Sequence, residues 1–86
     1  PSPEDHLIEK EELAEYEELI RRLYEAISSL PSMQARRVHA RYMLGMKVKD
    51  IAAMEGITPS QAGKSIHAAL RRLRRYFARQ KWTVNL

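Results

Sequence analysis

The chain of 86 residues has no cysteine, three glycines, four prolines, one tryptophan and one phenylalanine. Without cysteine, neither a disulfide nor a thiolate metal site can reinforce it. His6, His39 and His67 are far apart and show no metal-ligand spacing, so no metal and no cofactor is expected. No apolar run approaches the roughly 18 residues of a membrane span, and no signal peptide is visible. The cytoplasm is therefore the expected compartment, with no membrane partner. There is no strand signal, no internal repeat and no low-complexity linker. No Ser/His/Asp or Cys/His arrangement is visible, and carboxylates pair only along one acidic helix face, so catalysis is not expected. A chain of this length buries only about 60% of its unfolded surface. A single domain over residues 1–86, with a thin core, follows.

What is present is charge, unevenly placed. The net charge is +4, but residues 1–30 carry nine acids against three bases, and residues 31–86 carry two acids against twelve bases. Such a split suits an acidic face for one partner and a basic face for a polyanion. The simpler reading is an acidic first helix that neutralises a basic body.

Apolar spacing resolves four helices. Pro1 to Asp5 is a polar lead-in expected to be disordered, or to open a helix with Ser2 as cap and Pro3 as first residue. In the first helix Leu13, Tyr16, Ile20, Leu23, Ile27 and Leu30 step by 3, 4, 3, 4 and 3 residues. That is an apolar stripe, with Glu11, Glu15, Glu18 and Glu25 off it. Leu30-Pro31 ends it, because a residue before proline is pushed out of the α region. The second helix runs from Pro31 or Ser32 to about Leu44, its buried side formed by Ala35, Val38 and Tyr42 with Met33 and Met43. Arg36, Arg37 and Arg41 point elsewhere. Gly45 provides a left-handed C-cap.

A short third helix, Lys49 to Glu55, turns Ile51, Ala52 and Met54 inward, and Gly56 ends it with a positive φ. Thr58 is an N-cap and Pro59 a first helical residue with no N–H to lose. In the fourth helix Ala62, Ile66, Ala69, Leu70, Leu73 and Phe77 form one stripe. Ser60, Gln61, Lys64, Ala68, Arg71, Arg72 and Arg75 lie on the other side. Trp82 and Val84 follow without clear period, either folded back on the core or frayed. The methionines and the four tyrosines are read as core or boundary packing.

Short helix, glycine turn, capped helix and basic end together make a helix-turn-helix, placed at Lys47–Arg75. The second helix of such a unit lies in the major groove, with its N-terminal residues at the base edges. Gln61 can pair with adenine, and Lys64 with guanine or a phosphate; on an isolated helix both would be ordinary solvated residues. Arg71, Arg72 and Arg75 suit backbone phosphates and the negative end of the helix dipole. Arg36 and Arg37 either flank the other groove wall or form a solvated face.

The chain resembles region 4 of a bacterial sigma-70 family sigma factor, closest in style to the small alternative sigma factors. The matching pieces are Leu30-Pro31, Gly45, Asp50-Ile51-Ala52, Gly56-Ile57-Thr58 and Ile66-His67-Ala68-Ala69-Leu70-Arg71-Arg72-Leu73-Arg74, in that order. Ser2-Pro3-Glu4-Asp5 is similar to the linker that precedes region 4. The resemblance implies an all-α, four-helix domain that binds the upstream (minus-35) promoter element with its fourth helix. It also implies contact with the flap tip of the RNA polymerase β subunit through the earlier helices. The matching DNA-facing positions are Pro59, Ser60, Gln61, Lys64 and Ser65. Pro59, Gly63 inside the fourth helix, and Lys47 in place of a hydroxyl cap depart from the pattern. They point to DNA binding that is weak or held in place by polymerase.

The expected function is promoter recognition on double-stranded DNA by a monomeric sigma factor domain or sigma-like regulator. Two rivals remain at this stage. One is a stand-alone phage or mobile-element regulator that binds an operator as a dimer. The other is a protein-interaction domain that has lost DNA binding.

Overall fold

The computed structural model describes residues 9–80. The helices follow in the order α1 (Lys10–Ser28), α2 (Ser32–Val38), a π-helical turn (His39–Met43), α3 (Val48–Glu55) and α4 (Pro59–Arg79). No strand occurs among the described residues, and the fold is the all-α, four-helix class expected. The expectations for Pro1–Asp5, Trp82 and Val84 lie outside the described residues.

Local chemistry sets each boundary. After α1, Ser29 donates its hydroxyl to the Ala26 carbonyl at 2.6 Å, and the Leu30 N–H reaches Ile27. Pro31 then opens α2, its carbonyl accepting from the Ala35 N–H at 2.9 Å. The second helix does not stay α-helical to Leu44 as expected. Its last turn widens, so that the Leu44 N–H bonds to the His39 carbonyl at 3.1 Å, and the Met46 N–H reaches back to Ala40 across Gly45. Gly45 makes this closure possible at φ 71, a conformation that costs an L side chain energy.

The core has two parts. Ala26, Ile27, Leu30, Val38, Ala69, Leu73 and Phe77 bind α1, α2 and α4 together. Ala40, Ile51 and Ile66 join the π turn, α3 and α4. Ala26, Ala62 and Ala69 have no exposed surface, which lets the helix backbones approach closely.

The stripe on α1 is buried only at its C-terminal end. Ile27 and Leu30 are core, Ile20 and Leu23 are half-buried, and Leu13 and Tyr16 are exposed. Length explains the correction: α1 is 19 residues, while the second helix with its π turn runs only from Ser32 to Met43, about 28 Å of helix against about 18 Å. The chain folds back over the last two turns of α1, and the rest projects. That half gains helical support from Arg21, which binds Glu18 and Glu25, and from Arg22, which binds Glu18. Hydrogen bonds from Arg21 and then Arg22 hold the Glu18 carboxyl down at about 2. Met33, Tyr42 and Met54, expected inside, are also exposed. Met33 and Met54 lie off the buried faces of short helices, and Tyr42 sits at the rim of a groove described below.

Candidate nucleic-acid interface

The α3–α4 unit is built from backbone outward. Gly56 ends α3 in the left-handed region at φ 68, and the Ile57 N–H closes the turn onto the Ala52 carbonyl at 3.0 Å. Thr58 then caps α4 reciprocally. Its hydroxyl accepts from the Gln61 N–H at 3.1 Å, and the Gln61 side-chain carbonyl accepts from the Thr58 N–H at 2.9 Å. Pro59 occupies the first helical position. Ile51 of α3, 1% exposed, packs under α4 against Ile66, and Ala52 beside it in the chain is equally buried; this contact fixes the entry angle of α4.

One stripe of α4 is core: Ala62, Ile66, Ala69, Leu73 and Phe77. Pro59, Ser60, Gln61, Lys64, Arg71, Arg72 and Arg75 are all exposed on the remainder. Helical spacing sets Ser60, Lys64, Arg71 and Arg75 on one side, opposite the core stripe. Gly63 is half-buried, yet a Cβ built there meets nothing within 4 Å. The glycine is therefore not required by any contact within the described residues.

Three of the residues singled out in the sequence are placed differently from expectation. Arg37 does not flank a groove wall; it is 8% exposed and lies inside the domain. Its Nε and Nη2 donate to the Glu55 carboxylate at 2.9–3.1 Å and its Nη1 to the Ser65 hydroxyl at 2.8 Å. This pins α2, α3 and α4 at one point, and the guanidinium lowers the Glu55 carboxyl below its ordinary range. Ser65 is thereby drawn toward the interior as the acceptor of that bond. Gln61 has its carbonyl oxygen committed to the cap, leaving its NH2 group. Arg36 is exposed on α2.

The structure also shows two features that the sequence reading missed. An apolar groove of about 250 Å³ lies between α1, the end of the second helix and α4, lined by Leu23, Ile27, Val38, Met43, Leu70 and Leu73 with Tyr42 at its rim. A polar cleft of about 240 Å³ lies where the end of α1 meets the last turns of α4. Neither leaves a local signal, because each joins residues more than 25 positions apart. Among the described residues no group of three or more His, Asp or Glu is placed to hold a metal ion, and no helix is long and apolar enough to cross a membrane.

A short helix, a left-handed glycine turn, and a capped helix with an exposed polar and basic face define a helix-turn-helix domain of the DNA-binding kind. The family model described as sigma-70, region 4 matches residues 20–73, from the middle of α1 to Leu73 of α4. The chain belongs to the sigma-70 region 4 family: a transcription domain that binds promoter DNA and interacts with RNA polymerase, and not an enzyme family. Comparisons with curated proteins and with solved structures returned no match.

Proposed function

We propose that the helix-turn-helix at residues 47–75 reads a minus-35-type promoter element as a monomer, in the cytoplasm, while the apolar groove seats a helix of the polymerase β flap. Within this reading, Ser60, Lys64 and the NH2 group of Gln61 meet base edges, with Pro59 shaping the approach. Arg71, Arg72 and Arg75 neutralise phosphates beside the groove, and Arg36 flanks the far wall. Arg37 and Ser65 act indirectly, by fixing α4 on α2 and α3. The observation that carries the reading is the make-up of α4: a rigidly capped, polar N-terminal end running into an exposed basic face.

Selection from a random-sequence duplex pool, with and without core polymerase, tests it. Enrichment of one short element, strengthened by polymerase, is expected. A pool that stays random in both arms defeats the reading and leaves a protein-interaction domain.

One observation favours a second reading. Leu13 and Tyr16 are uncovered on the projecting half of α1, and a second copy that covered them would make an operator-binding dimer. Sedimentation separates the two readings, since the first requires a monomer at micromolar concentration. A dimer that also selects two half-sites about one helical turn apart would establish the second.

A further inference from the structure

The polar cleft at the end of α4 is not used by the base-reading turns. It is lined by Ser29, Leu30, Arg72, Arg75, Tyr76 and Arg79. No carboxylate lines it, and Arg72, Arg75 and Arg79 take part in none of the ion pairs found among the described residues. Three arginines thus line one concave site, with no carboxylate of the described residues beside them.

Position decides what this site serves. At 1.5 Å per residue, Arg72 stands roughly 20 Å and Arg79 roughly 30 Å along the axis from Pro59. A major groove is about 12 Å wide. With the first turns of α4 among the bases, the cleft lies beyond the wall of the groove being read. Positive charge recurs between the two, since Lys64, Arg71 and Arg75 share the outer side of α4. A duplex laid on that side leads from the reading end to the cleft. Guanidinium forks match phosphate oxygens in pairs, and a DNA strand presents phosphates in series, as these arginines are presented along the helix.

We infer that Arg79 extends the phosphate-contacting row of Arg72 and Arg75 past the groove being read, into a contact with backbone phosphates of DNA flanking the element that α4 reads. The inference rests on the reading of the protein as a promoter-DNA binder. The site adds affinity and sets how far the flanking duplex is drawn along the domain, and it reads no bases.

Duplex length isolates the effect. The probes are a duplex of about 12 bp carrying the element selected from the random pool, and two versions extended on either side by about 10 bp, roughly one helical turn. Wild type is expected to bind one extended duplex about tenfold more tightly than the short one. The variant Arg79→Gln is expected to lose most of that gain, to keep its short-duplex affinity within about twofold, and to lower the salt slope on the extended duplex by about 0.9 log units for one phosphate contact. The Arg79 side chain is exposed, and thermal melting of the variant checks that the fold is intact. Equal wild-type affinity for short and extended duplexes overturns the inference while leaving promoter binding in place. So does equal loss by the variant on both. Arg79-dependent binding of a tetraglutamate peptide without any gain from extension would assign the cleft to an acidic protein segment instead. Failure of wild type to bind any of the duplexes defeats the promoter-binding reading itself.

Discussion

Replacing Glu55 by alanine removes the countercharge of a guanidinium that is 8% exposed, leaving Arg37 with Ser65 as its remaining partner. Stranding one member of a buried pair costs about 3–5 kcal/mol. The Glu55 side chain is 20% exposed, so water reaches one end of the pair, and the expected loss is at the low end, about 3 kcal/mol. A domain of 86 residues has roughly 4–13 kcal/mol of stability in all, so the change is large. Arg37→Met removes the buried charge, keeps an apolar stem of similar length and leaves a carboxylate that water can reach. Its expected cost is smaller, about 1 kcal/mol. Urea unfolding followed by circular dichroism at neutral pH measures both, and the double variant completes the cycle. The pH dependence has a fixed sign. The Arg37 hydrogen bonds depress the folded-state value of Glu55, so its contribution is present above the ordinary carboxylate range near ~4.3. It is lost as pH falls through the depressed value. Glu55→Ala should therefore flatten the acid limb of the stability curve. Equal losses for the two single variants, or an acid limb unchanged in Glu55→Ala, would refute a buried pair that ties three helices together.

Two further substitutions test the packing. Gly63→Ala should stabilise the domain by about 0.5–1 kcal/mol, because the position is helical and a Cβ there meets nothing; a lower melting temperature would contradict this, and a stabilised variant with weakened DNA binding would place DNA against that residue. Ile27→Ala should cost about 2–5 kcal/mol from the core, whereas Leu13→Ala should change stability by less than about 0.5 kcal/mol. Comparable losses from the two in urea unfolding would mean that the projecting half of α1 is packed in solution.

The punctuation of the fold was readable in the sequence. Pro31, Gly45, Gly56 and Thr58-Pro59 each impose a backbone state, and each stands at an observed helix boundary. The inward face of α4 was also readable, because the spacing from Ala62 to Phe77 admits one buried side. Periodicity reports that a helix has an apolar face but not how much of that face finds a partner, and this is why Leu13, Tyr16, Tyr42 and Met54 were expected inside and lie exposed. The Arg37–Glu55 pair spans 18 positions, with Ser65 a further helix away, and leaves no local trace; an arginine among other arginines reads as surface. The π turn has no simple sequence code. Gln61 differs from these, since threonine followed three residues later by glutamine is a recognised capping pattern. Its carbonyl oxygen is taken up by that cap, which the residue type alone does not distinguish from a DNA contact. The two grooves depend on where α1 ends against α4, which only the assembled fold determines.

The central claim is that the capped N-terminal turns of α4 read bases. The most direct measurement is the base preference at every position of the bound element, obtained by sequencing DNA selected by wild type and by Lys64→Ala. If Lys64 meets a base edge, the variant should lose preference at one position, with specific affinity falling by about 1–3 kcal/mol and the remaining positions unchanged. An identical preference profile with uniformly weaker binding would make Lys64 a phosphate contact, and an identical profile with unchanged affinity would contradict base reading by this face of α4.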